Sequence, residues 1–272
     1  MPSRPRLPAS SRARLAAEPP VLLLTDSRVG MLQARAVLGQ TRAGEELGLE
    51  TFSASWQGRP VILTFLGGGR GAPQELLRRF LRRKLPHAVV LLGVGTGLQP
   101  GLEAGGVVVA DRVGAFDPSG ERPAWIPAGT ALLAEARLQT RSSSTTGSRA
   151  PAPVLGPVLS RISGLHLSPA EQRLTTRQGV AVLDRTAVGA AAACRDAGVP
   201  FLALLGVSQR AAALSAHDDP AALSTALRTM AHLALRIAVA GEGQRRLTTK
   251  SPARIASPAR ARPAVGRSPR KK

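Results

Sequence analysis

Short apolar runs and longer amphipathic stretches take turns along this chain, and that alternation predicts strands and helices in succession. The run Val21-Leu22-Leu23-Leu24-Thr25 has no polar alternation, as a strand covered on both faces requires. A helix is expected across 29–38. Val61-Ile62-Leu63-Thr64-Phe65-Leu66 is a second strand, ending at Gly67-Gly68-Gly69-Arg70-Gly71, with a helix over 73–84. Ala88-Val89-Val90-Leu91-Leu92 is the third and runs into a second glycine-rich turn, Gly93-Val94-Gly95-Thr96-Gly97. Val107-Val108-Val109-Ala110 is the fourth. Residues 115–157 lose periodicity, and Arg141-Ser142-Ser143-Ser144-Thr145-Thr146-Gly147-Ser148 reads as a flexible loop. Order returns near Val158, with strand 179–183, helix 186–197, strand 200–207 and a last helix over 220–240. In that helix Leu223, Leu227, Met230, Leu233, Leu235 and Ile237 form an apolar stripe. Strands that alternate with helices imply crossover connections and a mostly parallel sheet. Ligands of such sheets bind beyond the carboxyl ends of the strands, where the glycine clusters fall.

Composition changes this picture mainly at the ends. The formal charge is +20, but residues 1–19 and 242–272 hold 14 of the 37 Lys and Arg and only two acids, Glu18 and Glu242. The body therefore contributes +8, and the excess speaks of two basic tails more than of the domain. Three segments follow: a disordered tail at 1–19, an α/β domain over 20–241 with a flexible insertion at about 115–157, and a disordered basic tail over 242–272. There is no run long enough to span a membrane and no apolar core of a signal peptide after the basic start, so a cytoplasmic location and no membrane partner are expected. The single cysteine, Cys194, excludes an internal disulfide, and its alanine-rich surroundings read as a buried helix face. His166 and His217 are too isolated for a metal site, and His87, before a buried strand, reads as structural.

Gly67 to Ala72 fits the dinucleotide pattern G-x-G-x-x-A between a strand and a helix. That pattern needs an acid about 20 residues on for the ribose, and the region around Pro86–Leu91 has none. No cofactor is expected.

The stretch from Val89 through Gly93-Val94-Gly95-Thr96-Gly97 and Leu98-Gln99-Pro100-Gly101-Leu102-Glu103-Ala104-Gly105 to Val107-Val108-Val109-Ala110-Asp111 resembles the signature of the nucleoside phosphorylase/nucleosidase superfamily. Leu167-Ser168-Pro169-Ala170-Glu171, Gly179-Val180-Ala181-Val182-Leu183-Asp184 and Gly198-Val199-Pro200-Phe201 resemble further segments of that family, in the same order. The resemblance implies a three-layer α/β sandwich with a mixed, mostly parallel central sheet. It implies cleavage of an N-glycosidic bond, with phosphate or water as acceptor. Such chemistry needs a group that protonates the departing base, a carboxylate that holds the ribose and, in phosphorylases, groups that orient phosphate.

Mapped residue by residue, the resemblance leaves gaps. The ribose motif "Val-(Asp/Glu)-Met-Glu" reads Leu183-Asp184-Arg185-Thr186, so Thr186 stands where the ribose glutamate belongs and Arg185 replaces the apolar residue under the sugar. The base-side aspartate of "Ile-Ser-Asp" is Gln209, after Val207-Ser208; its amide hydrogen-bonds but donates no acid proton. At the end of the first strand only Asp26 offers a carboxylate, and the arginine often found before the second glycine cluster is Leu91. The resemblance therefore points to Gln209 and Asp26 as the catalytic candidates. Its candidates for substrate binding are Gly69, Arg70, Gly93, Gly95, Thr96, Gly97, Asp184, Arg185, Thr186 and Ser208. Plainer roles stand beside these: Asp184 as a brace of the helix at 186–197, Thr96 as a turn residue, Arg70 as a solvated loop charge.

Three functions follow. The first is a diverged nucleosidase or phosphorylase that binds a purine nucleoside or related N-riboside, hydrolysing more readily than phosphorolysing because the phosphate arginine is missing. The second is a non-catalytic binding or scaffold homologue. The third rests on the tail, whose units Ser251-Pro252-Ala253-Arg254, Ser257-Pro258-Ala259-Arg260 and Ser268-Pro269-Arg270-Lys271 suit weak contact with DNA or another polyanion. Members of the family are often homo-oligomers, so a second copy is an expected partner.

Overall fold

The computed structural model describes residues 18–67, 72–116, 123–143, 151–161, 167–210 and 220–249. The readings placed on 1–17 and 250–272, on Gly69 and Arg70, on Ser144–Ser148 and on His166 and His217 lie outside the described residues.

In chain order the elements are β1 (Val21–Thr25), α1 (Arg28–Leu38), β2 (Arg42–Glu46), β3 (Leu49–Trp56), β4 (Arg59–Phe65), α2 (Ala72–Arg83), β5 (Ala88–Gly97) and β6 (Val107–Ala115). There follow β7 (Ala124–Pro127), α3 (Thr130–Ser143), β8 (Val154–Ser160), α4 (Pro169–Arg177), β9 (Val182–Asp184), α5 (Ala187–Asp196), β10 (Phe201–Arg210) and α6 (Pro220–Thr249). The strands join into one mixed sheet in the order β10-β6-β8-β9-β5-β1-β4-β3-β2, with β7 paired to β6. A further pairing, β10 with β5, closes β5, β10, β6, β8 and β9 into a ring. At the centre β1 runs parallel to β4 and β5, and β10 runs parallel to β5, so their carboxyl ends share one edge.

The unbroken apolar runs are explained by two cores. Leu22 and Leu24 of β1 and Val89 and Leu91 of β5 face Leu77, Phe80 and Leu81 of α2 and the alanines of α5. The alternate residues, Val21, Leu23, Val90 and Leu92, face Met31 and Ala34 of α1, Leu132 and Ala136 of α3, and Leu227 and Met230 of α6. Each such leucine, fully buried, contributes about 1.5–3 kcal/mol of transfer free energy. The result is the expected sandwich: α2 and α5, the sheet, then α1, α3 and α6. Ala187, Ala190, Ala191, Ala193 and Cys194 are the buried face of α5, and their small size lets that helix lie close to the strands. Cys194 is fully buried and its thiol is pushed up to about 12, so it is inert packing.

Several local expectations are corrected. The stretch 115–157 holds β7, α3 and the start of β8, and Arg141–Ser143 close α3 instead of opening a loop. Its periodicity is weak because α3 carries buried polar residues, Glu135 and Thr140, on a face that packs against α6. Gly93–Gly97 is the second half of strand β5, not a turn, and Thr96 is buried there at 2% exposure. The last helix continues to Thr249, past the expected end at 240. The hairpin β2–β3 that precedes β4 had no apolar signature, because β2 is an exposed polar edge strand. Both connections are two-residue loops, Leu47-Gly48 and Gln57-Gly58, with positive φ at each residue, as type I′ turns need.

Candidate functional site

Strand β1 pairs with β5 as far as Thr25 opposite Leu92. Two residues further along β5 the N–H of Val94 donates to the Asp26 carboxylate, 3.0 Å from Oδ2, so this side chain prolongs the ladder where the β1 backbone turns away into α1. Ser27 then caps α1 by accepting the Gly30 N–H at 3.0 Å. The other Asp26 oxygen, Oδ1, is buried without a hydrogen-bond partner. A β-carbon on Gly93 would lie 3.0 Å from Asp26 Oδ2, so glycine there keeps room for the carboxylate.

From the other side comes the start of α5. Asp184 ends β9 at 2% exposure, and its Oδ2 accepts the N–H groups of Thr186 (2.9 Å) and Ala187 (2.6 Å). Ser160, the last residue of β8, donates its hydroxyl to Asp184 Oδ1 at 2.5 Å and accepts the Val188 N–H at 2.9 Å. Three of the unpaired N–H groups at the start of α5 are thereby satisfied by two buried side chains. Asp184 does brace this helix. Thr186 lies between the two carboxylates, its Oγ1 3.5 Å from Asp26 Oδ2 and 3.4 Å from Asp184 Oδ2. One hydroxyl proton serves only one of them at a time.

Burial raises the pKa of both acids. Asp26 is pushed up to about 7 by desolvation and by the charge of Asp184, against the pull of the Val94 N–H. Asp184 is also raised by burial, opposed by the hydrogen bonds from Ser160, Thr186 and Ala187. Each charge opposes the other, so the two buried carboxyls resist ionising together.

The remaining candidates flank this pair. Gly93, Gly95 and Gly97 share one face of β5. A β-carbon on Gly95 would strike Val182 and come within 2.5 Å of the Leu183 carbonyl; one on Gly97 would meet Val207 at 3.0 Å. These positions are small so that β9 and β10 can close the ring against β5. Ser208 sits in a bulge of β10 and donates to the Gly95 carbonyl at 3.3 Å, and half-buried Gln209 pairs with Thr96. Arg185 is exposed. The structure thus brings Asp26, Gly93, Asp184 and Thr186 into one cluster, with Ser208 across Gly95 and Gln209 beside Thr96. Ser160 and the Val94 N–H join that cluster without a local sequence signal beyond a polar residue closing a buried strand. Among the described residues no group of three His, Cys, Asp or Glu side chains converges as metal ligands, and no helix is long and apolar enough to cross a membrane.

The mixed sheet, closed into a five-strand ring, carries two buried carboxyls, Asp26 after β1 and Asp184 at the start of the helix after β9. The chain belongs to the phosphorylase superfamily, whose family model matches residues 21–240. Its fold is similar to that of a futalosine hydrolase mutant of Helicobacter pylori, with a TM-score of 0.68 at 15% identity over 82% of this chain and 99% of that one. It is equally similar to the 5'-methylthioadenosine/S-adenosyl homocysteine nucleosidase of Campylobacter jejuni, with a TM-score of 0.68, 13% identity, and 80% and 98% of the two chains covered. The Neisseria meningitidis nucleosidase in complex with methylthio-immucillin-A superposes with a TM-score of 0.67 at 19% identity, over 80% and 97% of the chains. No curated protein sequence matches the chain.

Proposed function

We propose that this protein binds a purine nucleoside or related N-riboside at the carboxyl edge of β1, β5 and β10. We further propose that it cleaves the N-glycosidic bond by hydrolysis, with Asp26 as the acid–base group. The observation that carries the proposal is the carboxyl of Asp26, which has one oxygen on the Val94 N–H, the other without a partner, and a pKa raised to about 7. A group poised there can give and take a proton near neutral pH. Family membership supports N-glycosidic chemistry as the class of reaction. The Colwellia psychrerythraea nucleosidase of similar fold was solved with adenine, and a base of that kind is the product class proposed for this chain. Water is favoured over phosphate because Leu91, at the family's arginine position, is buried in the core.

In this reading the Thr186 hydroxyl hydrogen-bonds the ribose, Ser208 and the Gln209 amide address the base, and Arg185 lies under the sugar. The test is a panel of nucleosides incubated with the full chain, with and without phosphate, followed by chromatography of released base. Release independent of phosphate, and lost in Asp26→Asn, is expected.

A second reading has a specific observation behind it: the Asp184 carboxylate is taken up by α5 and Thr186 stands at the motif's second acid, leaving no free carboxyl where the family motif places two. The protein would then bind the riboside without turnover. Thermal stabilisation by nucleosides with no base release in the same panel would decide for it.

A further inference from the structure

We propose that β2 is a self-pairing edge, through which two copies of this chain join antiparallel about a two-fold axis at Gly44. The proposal is independent of the riboside site, which is built on β1 and β5, with β4 and β3 between them and this edge. Strand β2 ends the strand path, pairs only with β3, and is exposed from Arg42 through Glu45. The two-residue turn Leu47-Gly48 makes Glu46 and Leu49 the closing hydrogen-bonded pair, so Gly44 and Arg42 also bond to β3. The N–H and C=O groups of Ala43 and Glu45 therefore point outward. Such a row is a template for another strand unless something blocks it.

The side chains name the occupant. Antiparallel pairing about Gly44 sets Ala43 opposite the second copy's Glu45, and the two exchange both backbone hydrogen bonds. Gly44 faces Gly44 in the closer type of pair, about 4.5 Å apart, with no side chains to collide. Arg42 then stands opposite the second copy's Glu46, and by symmetry the contact occurs twice. Arg42 is exposed and has no ion-pair partner among the described residues, while Glu46 meets only Lys84, at 3.8 Å. On the other face of β2, Glu45 lies directly opposite Glu50, both exposed and neither ion-paired among the described residues. Like charges so placed weaken a hairpin. The second copy's Ala43 would flank Glu45, and Ala43 itself lies opposite Phe52, whose ring carries the Arg35 guanidinium at 4.0 Å. Self-pairing thus turns an arginine toward these glutamates. Charges on an edge ordinarily prevent pairing. The order Arg-Ala-Gly-Glu-Glu instead matches opposite signs in one antiparallel register. A peptide of a single sign, the basic tail included, would satisfy one end of β2 and be repelled by the other.

Sedimentation velocity of the full chain over a concentration series tests the register. Arg42→Glu leaves only acids at positions 42 and 46, and Glu46→Arg leaves only bases, so each variant repels its own copies. Each is expected to weaken self-association about tenfold or more. An equimolar mixture of the two variants should restore it, because opposite charges then meet. A five-residue pairing buries little surface, so the dimer is weak and is also trapped covalently. Gly44→Cys places thiols at the axis, at a separation a disulfide can span. Mild oxidation should link this variant faster than Gln57→Cys, an exposed position at the β3–β4 turn, and Cys194 is buried away from both. Gly44→Cys keeps every charge of β2, so the trap stands even where a reversal harms folding. Reversals that leave association unchanged, as in a dimer held by another face, would overturn the proposal. So would a mixture that stays monomeric, or Gly44→Cys linking no faster than Gln57→Cys.

Discussion

The hydroxyl of Ser160 bridges the Asp184 carboxylate, at 2.5 Å, to the Val188 N–H, at 2.9 Å, and so ties the end of β8 to the end of β9 and the start of α5. Ser160→Ala strands both groups in a buried site, which costs about 1–3 kcal/mol. Asp184→Ala removes three hydrogen-bond acceptances at once and should cost more, roughly 2–4 kcal/mol. Urea unfolding of the two variants checks this. An unchanged midpoint for Ser160→Ala would mean that the helix start does not depend on the bridge.

Asp26 makes stability fall as pH rises. Its carboxyl has a folded-state pKa of about 7 against the ordinary aspartate value of 3.8. Between those values the unfolded chain has released the proton and the folded chain keeps it, so folding is progressively disfavoured from about pH 4 to about pH 7 and no further above. At about 1.4 kcal/mol for each tenfold change in proton affinity, the rise amounts to roughly 4 kcal/mol at most. Asp26→Asn, which still accepts the Val94 N–H, should remove that slope and be more stable than the parent at pH 8 but not at pH 4. Thermal melts across this range decide it, and parallel profiles would show that Asp26 titrates normally.

In the proposed reading Gln209, which pairs with Thr96 across β10 and β5, takes the place of the family's base-side aspartate. Gln209→Asp supplies a proton donor at that place, and general acids contribute roughly 10²–10⁴-fold to such reactions. Base release from nucleosides should rise at least about tenfold in the variant. No rise would mean that this segment of β10 does not face the base.

Gly95→Ala tests the ring itself. The added methyl would come within 2.5 Å of the Leu183 carbonyl and collide with Val182, so β9 must move away from β5. Overpacking of this kind costs about 1–3 kcal/mol or more. Gly93→Ala, which meets Asp26 Oδ2 at 3.0 Å, should cost less stability and more nucleoside binding. Denaturation midpoints and ligand-induced thermal shifts separate the two effects.

The strands of the sheet centre were legible because both of their faces are buried: Val21–Thr25, Val61–Phe65 and Ala88–Leu92 are apolar without interruption, and helices on either side demand that. Family membership was legible in the segments around Gly93–Gly97 and Leu183–Thr186, since local order of residue types survives at low identity. The edge hairpin was hidden because β2 is polar and its turns carry Leu47 and Gln57 where asparagine or aspartate is the usual sign. The polar face of α3 hid a helix in the same way.

What only the tertiary structure decided is the partnership at the site. Asp26 and Thr186 are separated by 160 positions and meet because β5 carries both β1 and β9, one on each part of its length. A local pattern of side chains reports which face of an element is buried, and says nothing of which distant element covers it. The sequence alone determined the alternating strands and helices and the family they resemble. The closing of the ring by β10 on β5, the approach of two buried carboxyls and the raised pKa of Asp26 arise from contacts that exist only once the sheet has formed.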